Sequence, residues 1–230
     1  SILAATLLGT LSDLCGLAWN LEALFTRTLA LEQMLTTGGG WQDQAGGIYR
    51  GIKVVETVAG LSQRPVLQWL PEHLLDDTAA NRRILLYYTG VTRLAKNILD
   101  EIVRSIFLNA GDSLKILQDI GHNATLAAGA IQSCNYQALV DSVRTSWRLN
   151  QALDSGTNPP AIQQILDAVG DWVGAAKLLG AGGGGYMLMF AKDEEAAGRI
   201  RRRLTEHPPN PLARFVHFSI SQTGLQKTSS

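Results

Sequence analysis

One aspartate stands inside a glycine-rich stretch near the start of the chain. GGGWQDQAGG runs from Gly38 to Gly47, with Asp43 near its centre and five glycines around it. Glycines at that density let a backbone approach a ligand closely, which places the carboxylate to face a substrate. The plainer alternative is a turn aspartate bonded to its own backbone. Eleven positions earlier, Glu32 falls in the last turn of a predicted helix, where the helix dipole disfavours a carboxylate. A magnesium ion would compensate that charge, and so would solvent at a surface position. A third feature is AKLLGAGGGGYMLMF, from Ala176 to Phe190, whose glycines suit either a phosphate or an unobstructed hairpin turn. Arg93 follows the Thr89-Gly90 turn at a helix start, where a cation meets a phosphate, a sugar or solvent.

Other chemistry lacks support. His73, His122, His207 and His217 form no ligand-spaced cluster and have no recognisable nucleophile beside them, which argues against zinc and hydrolase readings. Arg199, Arg201, Arg202 and Arg203 follow acidic residues and read as the solvated face of a late helix.

Helices and strands must position these groups. Leu3, Leu7, Leu11, Leu14 and Ala18 recur at steps of three and four, which predicts a first helix with these residues on one buried face. Asn20 is placed to cap a second helix with a stripe of Leu21, Leu24, Thr28, Leu31 and Leu35, ending at Gly38. Thr36 to Gly47 is too rich in glycine for a regular element and is expected to be a functional loop, with the Glu32 and Asp43 carboxylates facing a shared cleft. Ile52–Val58, Pro65–Leu70 and Arg83–Tyr88 have strand composition. Four helical patterns follow, the third capped by Asn135 and the fourth opened by Pro159-Pro160. Ala175–Leu179 and Tyr186–Ala191 flank the glycine turn as strands, Glu194–Leu204 is a helix, and Arg214–Ile220 a last strand of the same antiparallel sheet. The predicted class is α+β, helix-rich, with helices on an antiparallel sheet, and a frayed polar tail from Ser221 to Ser230.

Composition sets outer limits. A chain of 230 residues that is 46% hydrophobic can bury a core, and 20 basic residues balance 20 acidic ones. No broad field invites nucleic acid or an anionic membrane. The apolar run from Ile2 to Leu11 is too short to span a bilayer, and Cys15 and Cys134 lack the density of a secreted disulfide scaffold. A cytoplasmic setting is expected. A helical pattern starting at the second residue, with no initiating Met, predicts that a further segment of the same fold precedes Ser1.

Taken together, the three features resemble one family. Lys177, Leu178, Gly180, Ala181, Gly182, Gly184 and Gly185 match the KLxGAGxGG motif of the GHMP superfamily of sugar and mevalonate-type kinases. Glu32 and Asp43 match the spacing of its glutamate and catalytic aspartate. LALEQMLTTGGGWQDQAGGIY and ILLYYTGVTRLAKNIL resemble the L-fucokinases, including those fused to a guanylyltransferase. The resemblance implies a GHMP-kinase-like fold with a ferredoxin-like C-terminal sheet, residues 1–80 belonging to the N-terminal domain and 81–230 to the C-terminal one. It implies ATP-dependent phosphorylation of the L-fucose anomeric hydroxyl with magnesium as cofactor. Asp43 would be catalytic and Glu32 would hold the metal. Ser1, Gly182, Gly183 and Gly184 would meet nucleotide phosphates, and Gly39, Gly40, Trp41 and Arg93 the sugar, although Trp41 equally reads as a core anchor. The family's glycine- and serine-rich phosphate loop would stand just before Ser1, so the sequence is expected to lack that loop and the N-terminal half of the kinase domain. A heptose-phosphate kinase of the same superfamily, or a noncatalytic module completed by a partner chain, remain alternatives.

Overall fold

The computed structural model describes the chain apart from residues 36–39, 59, 61–64, 77–81, 93–94, 109–111, 181 and 229–230, and apart from the side chains of 95–99. Gly38, Gly39, Ala181 and Arg93 thus lie outside the described residues. The chain divides into two compact units, Ser1–Glu72 with Ile220–Ser230, and His73–Ser219.

In the first unit, α1 (Ile2–Leu14) and α2 (Leu21–Met34) form the helical pair that the periodicity predicts. Asn20 caps α2 by accepting from the Ala23 amide at 2.8 Å. The leucine face of α1, however, points outward. Leu3 is 84% and Leu14 80% exposed, whereas Ala5, Gly9 and Ser12 are buried. Those small residues, also spaced by four and three, let α1 lie close to its neighbours, so spacing predicted the helix but not its buried side.

The expected loop from Thr36 to Gly47 is corrected at its second half, because Gln42–Ile48 is a helix, α3. Trp41 begins it by accepting from the Ala45 amide at 3.0 Å. Ala45 and Ile48 then join Ala5 and Phe25 in a small core, on which Trp41, Tyr49, Val55 and Leu225 pack. Gly47 is glycine for a packing reason: a Cβ there would overlap the Ile2 side chain. Lys53 closes the corner beyond α3, donating to the carbonyls of Tyr49 at 2.7 Å and Gly51 at 2.9 Å. Strands β1 (Ile52–Glu56) and β2 (Val66–Leu70) pair antiparallel, Ile52 opposite Leu70. The tail is held rather than frayed. Gly51 donates to the Ser221 carbonyl, Leu225 to that of Ile48, and Lys227 pairs with Asp13 at 2.6 Å.

The second unit runs α4 (His73–Asp76), β3 (Ile84–Tyr88), α5 (Ala95–Phe107), α6 (Ser113–Gln132), α7 (Tyr136–Leu153), α8 (Pro160–Val169), β4 (Val173–Leu178), β5 (Tyr186–Ala191), α9 (Glu194–Glu206) and β6 (Arg214–Val216). The four strands form one antiparallel sheet in the order β4, β5, β3, β6. The three segments assigned to a common sheet from composition therefore share one, with Ile84–Tyr88 inserted between them. The last strand stops at Val216 instead of Ile220, because the chain leaves the sheet and enters the first unit at Ile220. Strand alternation sorts the faces. Leu85, Tyr87, Ala176, Leu178, Met187 and Met189 meet Ile162, Ile165, Ile200 and Leu204 of α8 and α9 in the main core. On the other face α7 packs on β4, where Arg144 donates to the Gly174 carbonyl at 2.7 Å. Asn135 caps α7 through the Ala138 amide at 3.0 Å, and Pro160 opens α8, both as read from sequence.

Candidate active site

The first unit brings Glu32 together with the start of α1 and the start of α3. Glu32 sits in the last turn of α2, its side chain 14% exposed. The Ser1 amino group lies 2.7 Å from Oε1, and the Ser1 hydroxyl donates to Oε2 at 3.0 Å. The Gln44 amide donates to the same Oε2. Burial pushes the Glu32 carboxyl pKa up, and the hydrogen bonds of the Ser1 hydroxyl and the Gln44 amide oppose it.

Asp43 precedes Gln44 on α3. Successive helical residues point about 100° apart, so the buried Gln44 turns toward Glu32 while Asp43 is exposed. Asp43 lies in the first turn of α3, where the dipole favours a negative charge, and no hydrogen bond or ion pair with another described residue engages its carboxylate. Gly40 is exposed just ahead of the helix, and a Cβ there would meet nothing within 4 Å. Trp41 is half-buried against the small core, the packing its anchor reading required.

Gln44 is the residue that sequence reasoning missed. Treating Thr36–Gly47 as irregular hid a signal, since Trp41, Ala45 and Ile48 recur at steps of four and three and predict a helical turn with Gln44 on its inner side.

In the second unit the glycine turn joins β4 to β5. Gly182 has φ +91°, Gly183 +76° and Gly185 +82°, conformations that side chains rarely adopt. The Gly183 amide donates to the Thr157 carbonyl and that of Gly185 to Val91, each at 2.8 Å. A Cβ on Gly182 would lie 3.0 Å from the Thr157 carbonyl oxygen, and one on Gly184 would overlap that of Val91. Packing and backbone conformation account for these glycines, and the Gly183 amide is already engaged. Lys177, at the head of the motif, is half-buried, and its partial desolvation pulls its pKa down. With the Asn150 amide oriented to donate to the Ser146 carbonyl, its oxygen accepts from Lys177 Nζ at 2.7 Å. Two cavities of this unit, ≈ 440 and ≈ 370 Å³, are lined by none of the residues expected to be catalytic or to bind metal, nucleotide or sugar.

Residues 127–210 match the family described as GHMP kinases C terminal. The structure superimposes on Lactococcus lactis galactokinase complexed with galactose with a TM-score of 0.63 at 16% identity, covering 97% of this chain and 64% of that one. The chain has the fold of the GHMP kinases. It is 50% identical over all 230 residues to the Bacteroides fragilis L-fucokinase/L-fucose-1-P guanylyltransferase, and 33% identical over 211 residues, 90% of the chain, to the Arabidopsis thaliana bifunctional fucokinase/GDP-fucose pyrophosphorylase. It spans 24% and 20% of the lengths of these two relatives. No helix among the described residues is long and apolar enough to cross a membrane.

Proposed function

We propose that the protein carrying this chain is a cytoplasmic L-fucokinase, which transfers the γ-phosphoryl group of ATP to the anomeric hydroxyl of L-fucose. The observation that carries this reading is the exposed Asp43, without a partner among the described residues, one residue from the Gln44 that grips Glu32. Phosphoryl transfer asks a protein mainly for positioning and charge neutralisation. Asp43 takes the proton as the sugar oxygen bonds to phosphorus; the bond from the γ-phosphorus to the bridging oxygen breaks, and ADP leaves with the electron pair. A carboxylate free of partners among the described residues is available for that proton.

Glu32 and the Ser1 hydroxyl fit magnesium in kind, being two oxygen donors already drawn together. Among the described residues no group of three His, Cys, Asp or Glu could hold a metal. Magnesium takes one or two protein carboxylates and otherwise uses phosphate and water. Magnesium, when bound, neutralises phosphate charge. Gly40 lets the chain pass close to the sugar and Trp41 shapes the approach from its place on the core, while Gly39 and Arg93, outside the described residues, are assigned to the sugar by resemblance alone. Ser1 opens α1 toward nucleotide phosphates. The rest of the kinase domain, and a guanylyltransferase as in the Bacteroides relative's name, lie elsewhere in the longer protein.

The test is a coupled ADP-release assay on the full-length protein with L-fucose, D-galactose and heptose 7-phosphate, with ³¹P NMR of the product. Fucose 1-phosphate formed in preference to the others supports the proposal. Turnover of the heptose phosphate alone, or of no sugar, refutes it.

A further inference from the structure

Gln44 is 1% exposed, and only half of its amide is used. Its nitrogen donates to Glu32, while its buried Oε1 has no partner. An acceptor left unpaired in the interior costs about 1–3 kcal/mol, and a leucine of similar size would avoid that cost. A buried amide retained under that penalty points to the one bond it does make. That bond crosses from α3 to the last turn of α2, and it reaches the Glu32 oxygen that also receives the Ser1 hydroxyl. Gln44 adds a donor to a half-buried carboxylate without adding charge. Because Gln44 follows Asp43 directly, the same bond ties Glu32 to the helical turn that carries the aspartate.

We propose that Gln44 is a positioning residue that fixes the Glu32 carboxylate for a divalent cation and holds it in register with Asp43. The inference rests on the reading of Glu32 as the metal-holding group. Residues that hydrogen-bond a metal ligand typically change metal affinity by 10–100-fold when removed. The experiment uses the full-length protein with Gln44→Leu, and Gln44→Met as the unbranched match should the first fail to fold. Mn²⁺ binding is read by electron paramagnetic resonance in the presence of a nonhydrolysable ATP analogue, beside thermal unfolding and kinetics at varied magnesium. The expected result is a Mn²⁺ Kd raised about 10–100-fold, a magnesium requirement raised in step, and an unfolding temperature unchanged or higher because the orphaned acceptor is gone. A Mn²⁺ affinity within about twofold of wild type in a folded variant, or a loss of thermal stability with metal affinity intact, overturns it. Wild-type protein that binds Mn²⁺ no better than a Glu32→Gln variant overturns the reading of Glu32 and this inference with it.

Discussion

Replacing Gly184 by alanine separates a glycine turn built for packing from one kept free for a ligand. The new Cβ overlaps the Val91 carbonyl oxygen, a backbone atom that cannot swing aside as a side-chain tip would. That carbonyl also accepts from Gly185 at 2.8 Å, so relief of the overlap disturbs a turn hydrogen bond. Overpacking costs about 1–3 kcal/mol and a hydrogen bond contributes about 1 kcal/mol, which together give roughly 2–4 kcal/mol. Gly185→Ala is the matched control. Its Cβ meets nothing within 4 Å, and its φ of +82° carries only the left-handed penalty of about 1–2 kcal/mol. Urea unfolding of the 230-residue chain, followed by circular dichroism, should show the larger drop in midpoint for Gly184→Ala. Equal losses for the two variants, or none for Gly184→Ala, would refute the packing argument.

Tyr87 is fully buried with an unpartnered hydroxyl, and burial raises its pKa. Its contribution to stability is therefore intact below the ordinary tyrosine pKa and falls as pH rises above about 10. Tyr87→Phe should stabilise the chain by about 1 kcal/mol at neutral pH and lessen the alkaline loss, as read from urea midpoints between neutral and strongly alkaline pH. On α1, Ala5→Leu should cost about 1–3 kcal/mol by overpacking, whereas Leu7→Ser, at a position 55% exposed, should change the chain's stability by no more than about 0.5 kcal/mol; unfolding midpoints that reverse this order would contradict the burial described. The 230-residue chain by itself should form no fucose 1-phosphate, since its sequence contains no serine-rich phosphate loop and the transfer depends on holding phosphate in place; detection of that product by ³¹P NMR would contradict this.

Local chemistry was most legible where one residue type decides the backbone. Asn20, Asn135 and Pro160 mark helix starts in both sequence and structure, because a capping side chain or a fixed φ acts within one turn. The alternating strands beside Gly182–Gly185 were equally clear. What sequence could not assign was the partner of a face. Leu3, Leu7, Leu11 and Leu14 share a side of α1, yet the small residues Ala5, Gly9 and Ser12 are the ones covered, since close helix approach favours small side chains as much as burial favours large ones. Five glycines around Asp43 suggested irregular backbone, but Ala45 and Ile48 bury well enough to override glycine's helix penalty of about 1 kcal/mol per residue. The tail read as polar and loose because its anchors, Ser221, Leu225 and Lys227, bind residues more than 160 positions away.

The central claim is that Asp43 receives the hydroxyl proton in phosphoryl transfer to L-fucose. Asp43→Asn preserves size and hydrogen bonding and removes only the negative charge, so the most direct measurement is steady-state turnover of that variant in the full-length protein, with Mn²⁺ and nucleotide binding measured alongside. The account predicts a fall in kcat of about 10² to 10⁴, with a much smaller change in the KM for L-fucose and with nucleotide binding retained. Turnover within a few-fold of wild type would contradict it.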